Sequence, residues 1–245
     1  MNGVFYESAP AGSATSSSNP NIGILLLAAG QSTRMGQNKQ LLPWRGKTVL
    51  HAVCEALRGG WDLSNVHPPV GRYPFVAVTG YDHKLLDPIV ESYGFSTVWN
   101  LRPENGQGVS IGLGVQQLVN QEWLPLDGII CSVADQPLLT PFVICELINA
   151  FQNQWIIERR DGELPSKTIV MPHYGAAYTP GNPVLFGAHW FDALCHIEGD
   201  QGGKTIIQGP GRDYIRNIWI PADIGDDVDT PTDYERIGNR ESEDI

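Results

Sequence analysis

The sequence has little positive charge: 16 lysine and arginine residues stand against 27 aspartate and glutamate residues, and the formal net charge is -11. A protein whose main partner is a nucleic acid or an anionic membrane surface carries the opposite balance, because phosphate groups attract lysine and arginine. The composition therefore argues against both partners. The acidic excess is concentrated in residues 222–245, where nine carboxylates stand against two arginines.

The sequence also has few cysteines and no visible internal repeat. The four cysteines stand in apolar contexts and no two have the spacing of metal ligands, so we expect reduced, buried thiols and a cytoplasmic protein. Residues 1–21 contain no lysine or arginine and no apolar core. That composition is unlike a signal peptide or an anchor and predicts a disordered tail. We expect one domain over residues 22–238 and a C-terminal tail over 239–245.

The stretch IGILLLAAGQSTRMGQNKQLLP, residues 22–43, carries most of the functional information. Residues 22–29 are apolar but too short to span a bilayer, and they predict a buried strand of a parallel sheet. The small residues at the end of this strand let backbone N–H groups approach a phosphate or a base edge closely. Arg34 and Lys39 add positive charge to the loop that follows. The stretch therefore predicts a nucleotide site.

Two better-known phosphate-binding loops do not fit this stretch. A Walker loop requires Gly, four residues and then Gly-Lys-Ser/Thr, but five residues separate Gly30 from Gly36 and no lysine follows Gly36. The dinucleotide-binding fingerprint requires a second glycine two residues after the first, and Ser32 stands there instead. The spacing excludes both loops.

Predicted strands and helices alternate along the rest of the chain, as judged from apolar runs, 3.6-residue periodicity, caps and prolines. The predicted strands are 75–79, 95–99, 128–133, 168–171, 183–186 and 215–220; the predicted helices are 47–58, 82–93, 110–120 and 189–196, with others starting near 140, 204 and 230. Gly59-Gly60 is expected to end the first helix before a long loop over 59–74, and Asp87-Pro88 to kink or restart the second. This alternation predicts a single α/β domain whose mostly parallel sheet carries helices on both faces.

Three further positions allow two interpretations each. Asp135 follows the predicted strand 128–133, where a carboxylate can hold a divalent cation; it can also cap a helix, but Thr140-Pro141 already provides that helix start. Ser110 stands at a predicted helix start, where it either caps the helix or binds a ligand oxygen. Lys204 follows two glycines, a pattern typical either of an anion-binding segment or of a turn with an exposed lysine.

Four segments together resemble the MobA-like NTP transferases and, within that group, the molybdenum cofactor cytidylyltransferases. They are AAGQSTRMGQNKQLLP, ADQPLLTP, GNPVLF with GDQGGK, and DVDTPTDYE. The Ala-Ala-Gly form of the first segment is more similar to the cytidylyltransferase branch than to the guanylyltransferase branch. The resemblance implies a Rossmann-like nucleotidyltransferase fold with Mg²⁺ as cofactor. It implies transfer of CMP from CTP to the terminal phosphate of the molybdenum cofactor, release of pyrophosphate, and a recipient molybdoenzyme as a partner.

The resemblance also implies roles for individual residues. Arg34, Lys39 and Asp135 are the implied catalytic residues. Asp135 is also the implied metal ligand, and Asp229 is either a second metal ligand or a residue that orients the acceptor. The implied nucleotide-binding residues are Leu27, Ala28, Ala29, Gly30, Arg34, Lys39, Gly80, Asn100, Gly108 and Ser110, with Ser110 reading the base. The implied acceptor-binding residues are Asn182, Pro183, Asp200, Gln201, Gly202 and Lys204.

Three other functions stay open at this point. Guanylyl transfer from GTP to the same cofactor differs only in the nucleotide. A sugar-phosphate or isoprenoid-phosphate nucleotidyltransferase shares the first loop, although GDQGGK argues against it. A chaperone that binds the cofactor without chemistry has no need of both Lys39 and Asp135.

Overall fold

The computed structural model describes residues 19–64, 73–120, 125–221 and 224–240. Within these ranges, the strands are β1 Ile22–Ala28, β2 Pro43–Trp44, β3 Lys47–Thr48, β4 Phe75–Thr79, β5 Ser96–Trp99, β6 Gly128–Val133, β7 Ile169–Tyr174, β8 Thr179–Pro180, β9 Val184–Gly187 and β10 Ile215–Ile220. The α-helices are α1 Val49–Leu63, α2 His83–Ser92, α3 Gln107–Val119, α4 Pro141–Asp161, α5 Phe191–Cys195, α6 Lys204–Gln208 and α7 Pro231–Arg240. Strands β2 and β3 form a separate small hairpin.

The central sheet has the strand order β10-β7-β9-β6-β1-β4-β5, and β8 extends it as an antiparallel partner of β7. Along this order the strands are parallel except β9, which runs antiparallel to both β6 and β7. Helices α1, α2 and α4 pack on one face, and α3, α5 and α6 on the other. The predicted α/β fold, with a mostly parallel sheet and helices on both faces, is confirmed. None of the described helices is long and apolar enough to cross a membrane.

Strand β1 lies in the middle of the sheet because both of its faces are apolar. Ile24 and Leu26 face the core under α1 and α4, whereas Leu25 faces the core under α3, and all three side chains are fully buried. A strand covered on both faces reads as a continuous apolar run, which is what the sequence shows here. The parallel neighbours β4 and β6 end at the same edge as β1, so the residues that follow these strands meet there.

The predicted end of α1 at Gly59-Gly60 is wrong, because the helix continues to Leu63. Gly60 serves helix packing instead. A Cβ atom at Gly60 would lie 2.4 Å from Cβ of Ile144 and 2.5 Å from the carbonyl oxygen of Pro141. The missing side chain therefore lets α1 and α4 approach closely. Of the loop predicted over 59–74, residues 59–63 are helical and 65–72 lie outside the described residues.

We expect Gly60→Ala to lower the free energy of unfolding by about 1–3 kcal/mol, because the added methyl group overlaps atoms of α4. The matched control is Gly238→Ala in α7, where nothing lies within 4 Å of an added Cβ. There alanine should stabilise the helix by about 0.5–1 kcal/mol relative to glycine. Equilibrium unfolding in urea measures both changes. Equal stabilities of the two variants would contradict the packing role of Gly60.

Two other predicted helix boundaries also need correction. Helix α2 is continuous across Pro88, so of the two predicted alternatives at Asp87-Pro88 the restart is wrong, and the kink stays a prediction. The Asp87 carboxylate accepts hydrogen bonds from Thr79 and Trp99, both at 2.8 Å, and so ties this turn of the helix to the sheet. The helix predicted over 189–196 is a 3₁₀ turn at Ala188–Trp190 followed by the short α5.

Helix α3 begins at Gln107, three residues before its predicted start. Gly106 precedes it with φ 99°, a backbone conformation that glycine adopts without strain, and the chain enters the helix from there. Ser110 therefore lies inside α3, and the interpretation of Ser110 as a cap is wrong.

The predicted start of the terminal helix at Thr230-Pro231 is confirmed. The N–H of Asp233 donates to Thr230 Oγ1 at 3.2 Å, and the N–H of Thr230 donates to Asp233 Oδ2 at 2.9 Å. This reciprocal pair satisfies two N–H groups that the helix start leaves without backbone partners.

Near the chain ends, the N–H of Asn21 donates to Asp127 Oδ2 at 2.8 Å, and Asn19 Oδ1 accepts a hydrogen bond from Gln152 at 2.8 Å. The greater part of both predicted tails, residues 1–18 and 241–245, lies outside the described residues.

Candidate functional site

A first pocket, of about 260 Å³, lies at the carboxyl ends of β1 and β4. Ala28, Ala29 and Gly30 line it on the β1 side, and Gly80 lines it on the β4 side. A Cβ atom at Gly80 would lie 2.9 Å from the carbonyl oxygen of Ala29, so only glycine lets the two strand ends come this close. The pocket is lined further by Gln31, Asn38, Tyr81, Asp82 and Leu86. The structure thus brings four of the predicted nucleotide-binding residues together.

The loop after β1 bends back on itself. Ser32 and Gly36 both have left-handed backbone conformations, with φ 51° and 69°. Ser32 Oγ accepts a hydrogen bond from the N–H of Lys39 at 3.1 Å, and Asn38 Oδ1 accepts one from the N–H of Gln40 at 2.9 Å. These bonds hold the backbone around Lys39, next to the first pocket.

Apolar contacts then hold this loop against the C-terminal part of the chain. Met35 and Leu42 are buried in one small cluster with Val228 and Ile237. The cluster brings residues that are about 190 positions apart in the sequence to the same place. It explains how the charged residues on both sides of Val228 come to face the loop.

Lys39 lies at the centre of a cluster of charged side chains. Its Nζ is 2.5 Å from Asp135 Oδ2 and 2.7 Å from Asp229 Oδ1. Arg34 Nη2 is 3.3 Å from Asp229 Oδ2, and the Arg34 side chain remains 71% exposed. Burial alone would lower the pKa of Lys39, but the charges and hydrogen bonds of Asp135 and Asp229 outweigh burial and raise it. Lys39 is therefore a cation at neutral pH.

Asp135 stands just after the end of β6, as predicted, and one of its carboxylate oxygens has no hydrogen-bond partner among the described residues. Its Oδ2 contacts Lys39, whereas its Oδ1 is buried and has no hydrogen-bond partner among the described residues. Burial raises the pKa of Asp135, and the charge of Lys39 opposes that change. A buried acceptor without a partner is costly, so a bound group that contacts Oδ1 would be stabilised here.

Asp227 belongs to the same cluster, although no role was predicted for it. Burial raises the pKa of the Asp227 carboxyl group to about 7, and the charges of Asp135 and Asp229 act in the same direction. The Gln136 side chain and the charge of Lys39 oppose this rise. The raised pKa thus reflects burial first and the neighbouring negative charges second.

The spacing Asp227-Val228-Asp229 is the sequence signal that identifies this residue. In an extended segment, residues two positions apart point to the same side. Val228 is fully buried in the apolar cluster, while Asp229 contacts Lys39 and Asp227 lines the second pocket described below.

Asp135 and Asp229 fit a divalent cation that binds together with a polyphosphate. Three carboxylates face two cationic side chains, and Asp135 offers an unpartnered oxygen. Among the described residues, no group of three or more His, Cys, Asp or Glu side chains forms a metal cage. Mg²⁺ at phosphate-transfer sites is held by one or two carboxylates, with water and phosphate oxygens completing its shell. The donor set matches that arrangement.

Asn100, Ser110 and Gly108 do not line the first pocket. Asn100 Nδ2 donates to Ser110 Oγ at 2.9 Å, while Asn100 Oδ1 accepts the N–H of Arg102 at 2.9 Å, and Asn100 and Ser110 are both buried. A Cβ atom at Gly108 would lie 2.7 Å from the carbonyl oxygen of Ile197. These three predicted nucleotide-binding residues therefore join the end of β5 to α3 and to the segment beyond α5.

A second pocket, of about 280 Å³, includes Asp135 and Asp227 in its wall. Four of the predicted acceptor-binding residues line it, namely Asn182, Asp200, Gln201 and Lys204, whereas Pro183 and Gly202 are buried without lining it. The other lining residues are Leu27, Gln107, Ile111, Cys131, Val133, Val184, Phe186, Gly203 and Ile207. Leu27, which was predicted to bind the nucleotide, thus lines the second pocket. Gln107 is a polar lining residue for which the sequence offered no signal beyond its place between two glycines.

The chain is similar to known proteins in both sequence and structure. The family model for the MobA-like NTP transferase domain matches residues 24–215. The purine catabolism protein PucB of Bacillus subtilis (strain 168) is 28% identical over 222 residues, covering 87% of this chain and 94% of that protein. The manganese complex of Rv0371c from Mycobacterium tuberculosis H37Rv is 23% identical, with a TM-score of 0.65 and coverage of 89% of this chain and 97% of that one. A nucleotidyl transferase from Methanothermobacter thermautotroptrophicus is 20% identical, with a TM-score of 0.67 and coverage of 92% and 99%.

Proposed function

Because the chain belongs to the MobA-like NTP transferase family, it is a nucleotidyltransferase, and we propose that it transfers CMP from CTP to the terminal phosphate of the molybdenum cofactor. The observation that carries this proposal is the position of Lys39. Its Nζ is 2.5 Å from Asp135 and 2.7 Å from Asp229, and Asp135 also lines the second pocket. Asn38, the residue before Lys39, lines the first pocket. The charged cluster therefore joins the two pockets.

In this proposal the first pocket takes CTP and the second takes the cofactor. An oxygen of the terminal phosphate of the cofactor attacks the α-phosphorus of CTP. A bond forms between them, the bond from the α-phosphorus to the bridging oxygen of the β-phosphate breaks, and pyrophosphate leaves. A phosphate monoester is already ionised near neutral pH, so the attacking group needs no general base. Catalysis then depends on positioning and on positive charge.

The residues of the charged cluster supply these two requirements. Lys39 and Arg34 neutralise the negative charge that develops on the leaving pyrophosphate. Asp135 and Asp229 would hold Mg²⁺, which when bound offsets phosphate charge and orients phosphate oxygens. The manganese complex of Rv0371c supports a divalent metal for a protein of this fold.

The choice of CTP and of the molybdenum cofactor rests on the segments that resemble the cytidylyltransferases. The Ala28-Ala29-Gly30 turn lines the first pocket, and Asp200, Gln201 and Lys204 of GDQGGK line the second. Lys204 is the cation that we assign to the phosphate of the acceptor. A cytoplasmic location and delivery to a recipient molybdoenzyme belong to the same proposal.

The test measures pyrophosphate release with molybdenum cofactor, Mg²⁺ and each of the four ribonucleoside triphosphates in turn. We expect release with CTP that depends on the cofactor. Release with GTP in its place would identify the chain as a guanylyltransferase. If CTP gives release with a sugar phosphate or an isoprenoid-precursor phosphate but not with the cofactor, the acceptor is that phosphate and not the molybdenum cofactor. No release under any of these conditions would indicate a cofactor-binding protein without chemistry.

A further inference from the structure

Gln136 follows Asp135 and is 1% exposed, yet no part of the proposed chemistry uses it. We infer that Gln136 is a positioning residue that holds the segment carrying Asp227 and Asp229 opposite Asp135, so that the metal-binding carboxylates keep their arrangement. This inference rests on the proposed function, since it concerns the metal that the nucleotidyl transfer requires.

The side-chain amide of Gln136 donates a hydrogen bond to that segment. Its Nε2 donates to the carbonyl oxygen of Gly225 at 2.8 Å. In addition, the N–H of Val228 donates to the carbonyl oxygen of Asp135 at 2.9 Å. Two hydrogen bonds therefore connect residues 135–136 to residues 225–228.

These bonds matter because residues 224–229 belong to neither a helix nor a strand. Gly225 is fixed from its other side by Tyr174, whose ring atom Cδ2 would lie 2.3 Å from a Cβ added to the glycine. Gln136 provides the hydrogen bond to the backbone at Gly225, whereas the other polar contacts of the segment are made further along it, at Asp226, Val228 and Asp229. A small displacement of the segment would change the 2.7 Å contact between Asp229 and Lys39.

The unpartnered oxygen of the amide favours this role over simple filling of the core. Gln136 Oε1 is buried and makes no hydrogen bond within the described part of the chain. Leaving such an acceptor unpaired is unfavourable, and an apolar side chain of similar length would avoid that penalty. The glutamine is therefore explained by the hydrogen bond that its NH₂ group donates to Gly225.

The experiment compares Mn²⁺ binding to the full chain and to Gln136→Met in the presence of CTP, by isothermal calorimetry. Methionine keeps the length of the side chain and removes the amide that donates to Gly225. We expect the dissociation constant for Mn²⁺ to rise by about 10- to 100-fold, the usual effect of losing a residue that orients metal-binding groups. We expect kcat to fall by a similar factor at limiting Mg²⁺. The KM for CTP should not change, because neither Gln136 nor residues 225–229 line the first pocket.

The matched control is Gln152→Met in α4, which removes a 2.8 Å hydrogen bond from a glutamine amide to Asn19 and should leave Mn²⁺ affinity unchanged. Gln136→Asn provides a second variant if Gln136→Met does not fold: it keeps an amide but is one methylene shorter, and it should weaken Mn²⁺ binding as well. Unchanged Mn²⁺ affinity in a folded Gln136 variant would overturn the inference, as would a loss equal to that of the Gln152 control. Absence of turnover in the unsubstituted chain would refute the proposed function, and the Mn²⁺ titration would still decide the role of Gln136.

Discussion

Lys39→Ala is expected to lower kcat for pyrophosphate release by about 10³-fold, the effect of removing a preorganised charge from a transition state. Lys39 Nζ lies between Asp135 and Asp229, which hold it at a fixed place. Negative charge on the departing pyrophosphate is largest in the transition state, so the loss should fall mainly on kcat. The KM for CTP should change less, because we assign CTP to the first pocket, which Lys39 does not line.

Stopped-flow or coupled-enzyme measurement of pyrophosphate gives both constants. Lys167→Ala is the control for loss of a lysine: this residue precedes β7, and its Nζ lies 5.3 Å from the ring centre of Tyr214, in a cation–π contact away from the charged cluster. Lys39→Arg keeps the charge but replaces a compact ammonium by a longer, planar group, so it should restore only part of the rate. Near-normal turnover in a folded Lys39→Ala protein would remove Lys39 from the catalytic residues.

Much of the fold follows from local features of the sequence. The apolar run at β1 is long enough to be covered on both faces, and the Thr230-Pro231 pair starts α7 by bonds within four residues. The place of Asp135 at the edge of the sheet can likewise be predicted from its position just after β6, because the carboxyl ends of parallel strands meet at one edge. Where the deciding contact is local, or is dictated by strand direction, the sequence is sufficient.

The features that the sequence did not predict depend on contacts between distant parts of the chain. Gly60 looks like a helix terminator, but its role is set by Ile144 in another helix. Asp227 is brought near Asp135 by contacts of Val228, whose N–H donates to the carbonyl oxygen of Asp135 and whose side chain packs with Met35 and Leu42. Leu27 lines the second pocket because alternate residues of a strand face opposite sides of the sheet. For Gly60 and Asp227, a partner that local patterns cannot identify decides the role.

Asp135→Asn should lower kcat by about 10³-fold at physiological Mg²⁺, because it removes the charge of the carboxylate that we assign to the metal while keeping its shape. Asp229→Asn should lower kcat by a smaller factor. The side chain of Asp229 is 39% exposed, against 16% for Asp135, so water can replace part of its contribution. An amide is a weaker ligand than a carboxylate, so the rate of Asp135→Asn should recover in part as the Mg²⁺ concentration is raised.

This Mg²⁺ dependence separates a metal ligand from a residue that only pairs with Lys39. If Asp135 did no more than orient Lys39, its loss would lower kcat by the same factor at every Mg²⁺ concentration. Asp192→Asn in α5 controls for the change in net charge, since that side chain is 95% exposed and lies outside both pockets. If the rate of Asp135→Asn stays equally low from limiting to saturating Mg²⁺, Asp135 only orients Lys39 and is not a metal ligand. The metal would then have to be held by other carboxylates of the cluster.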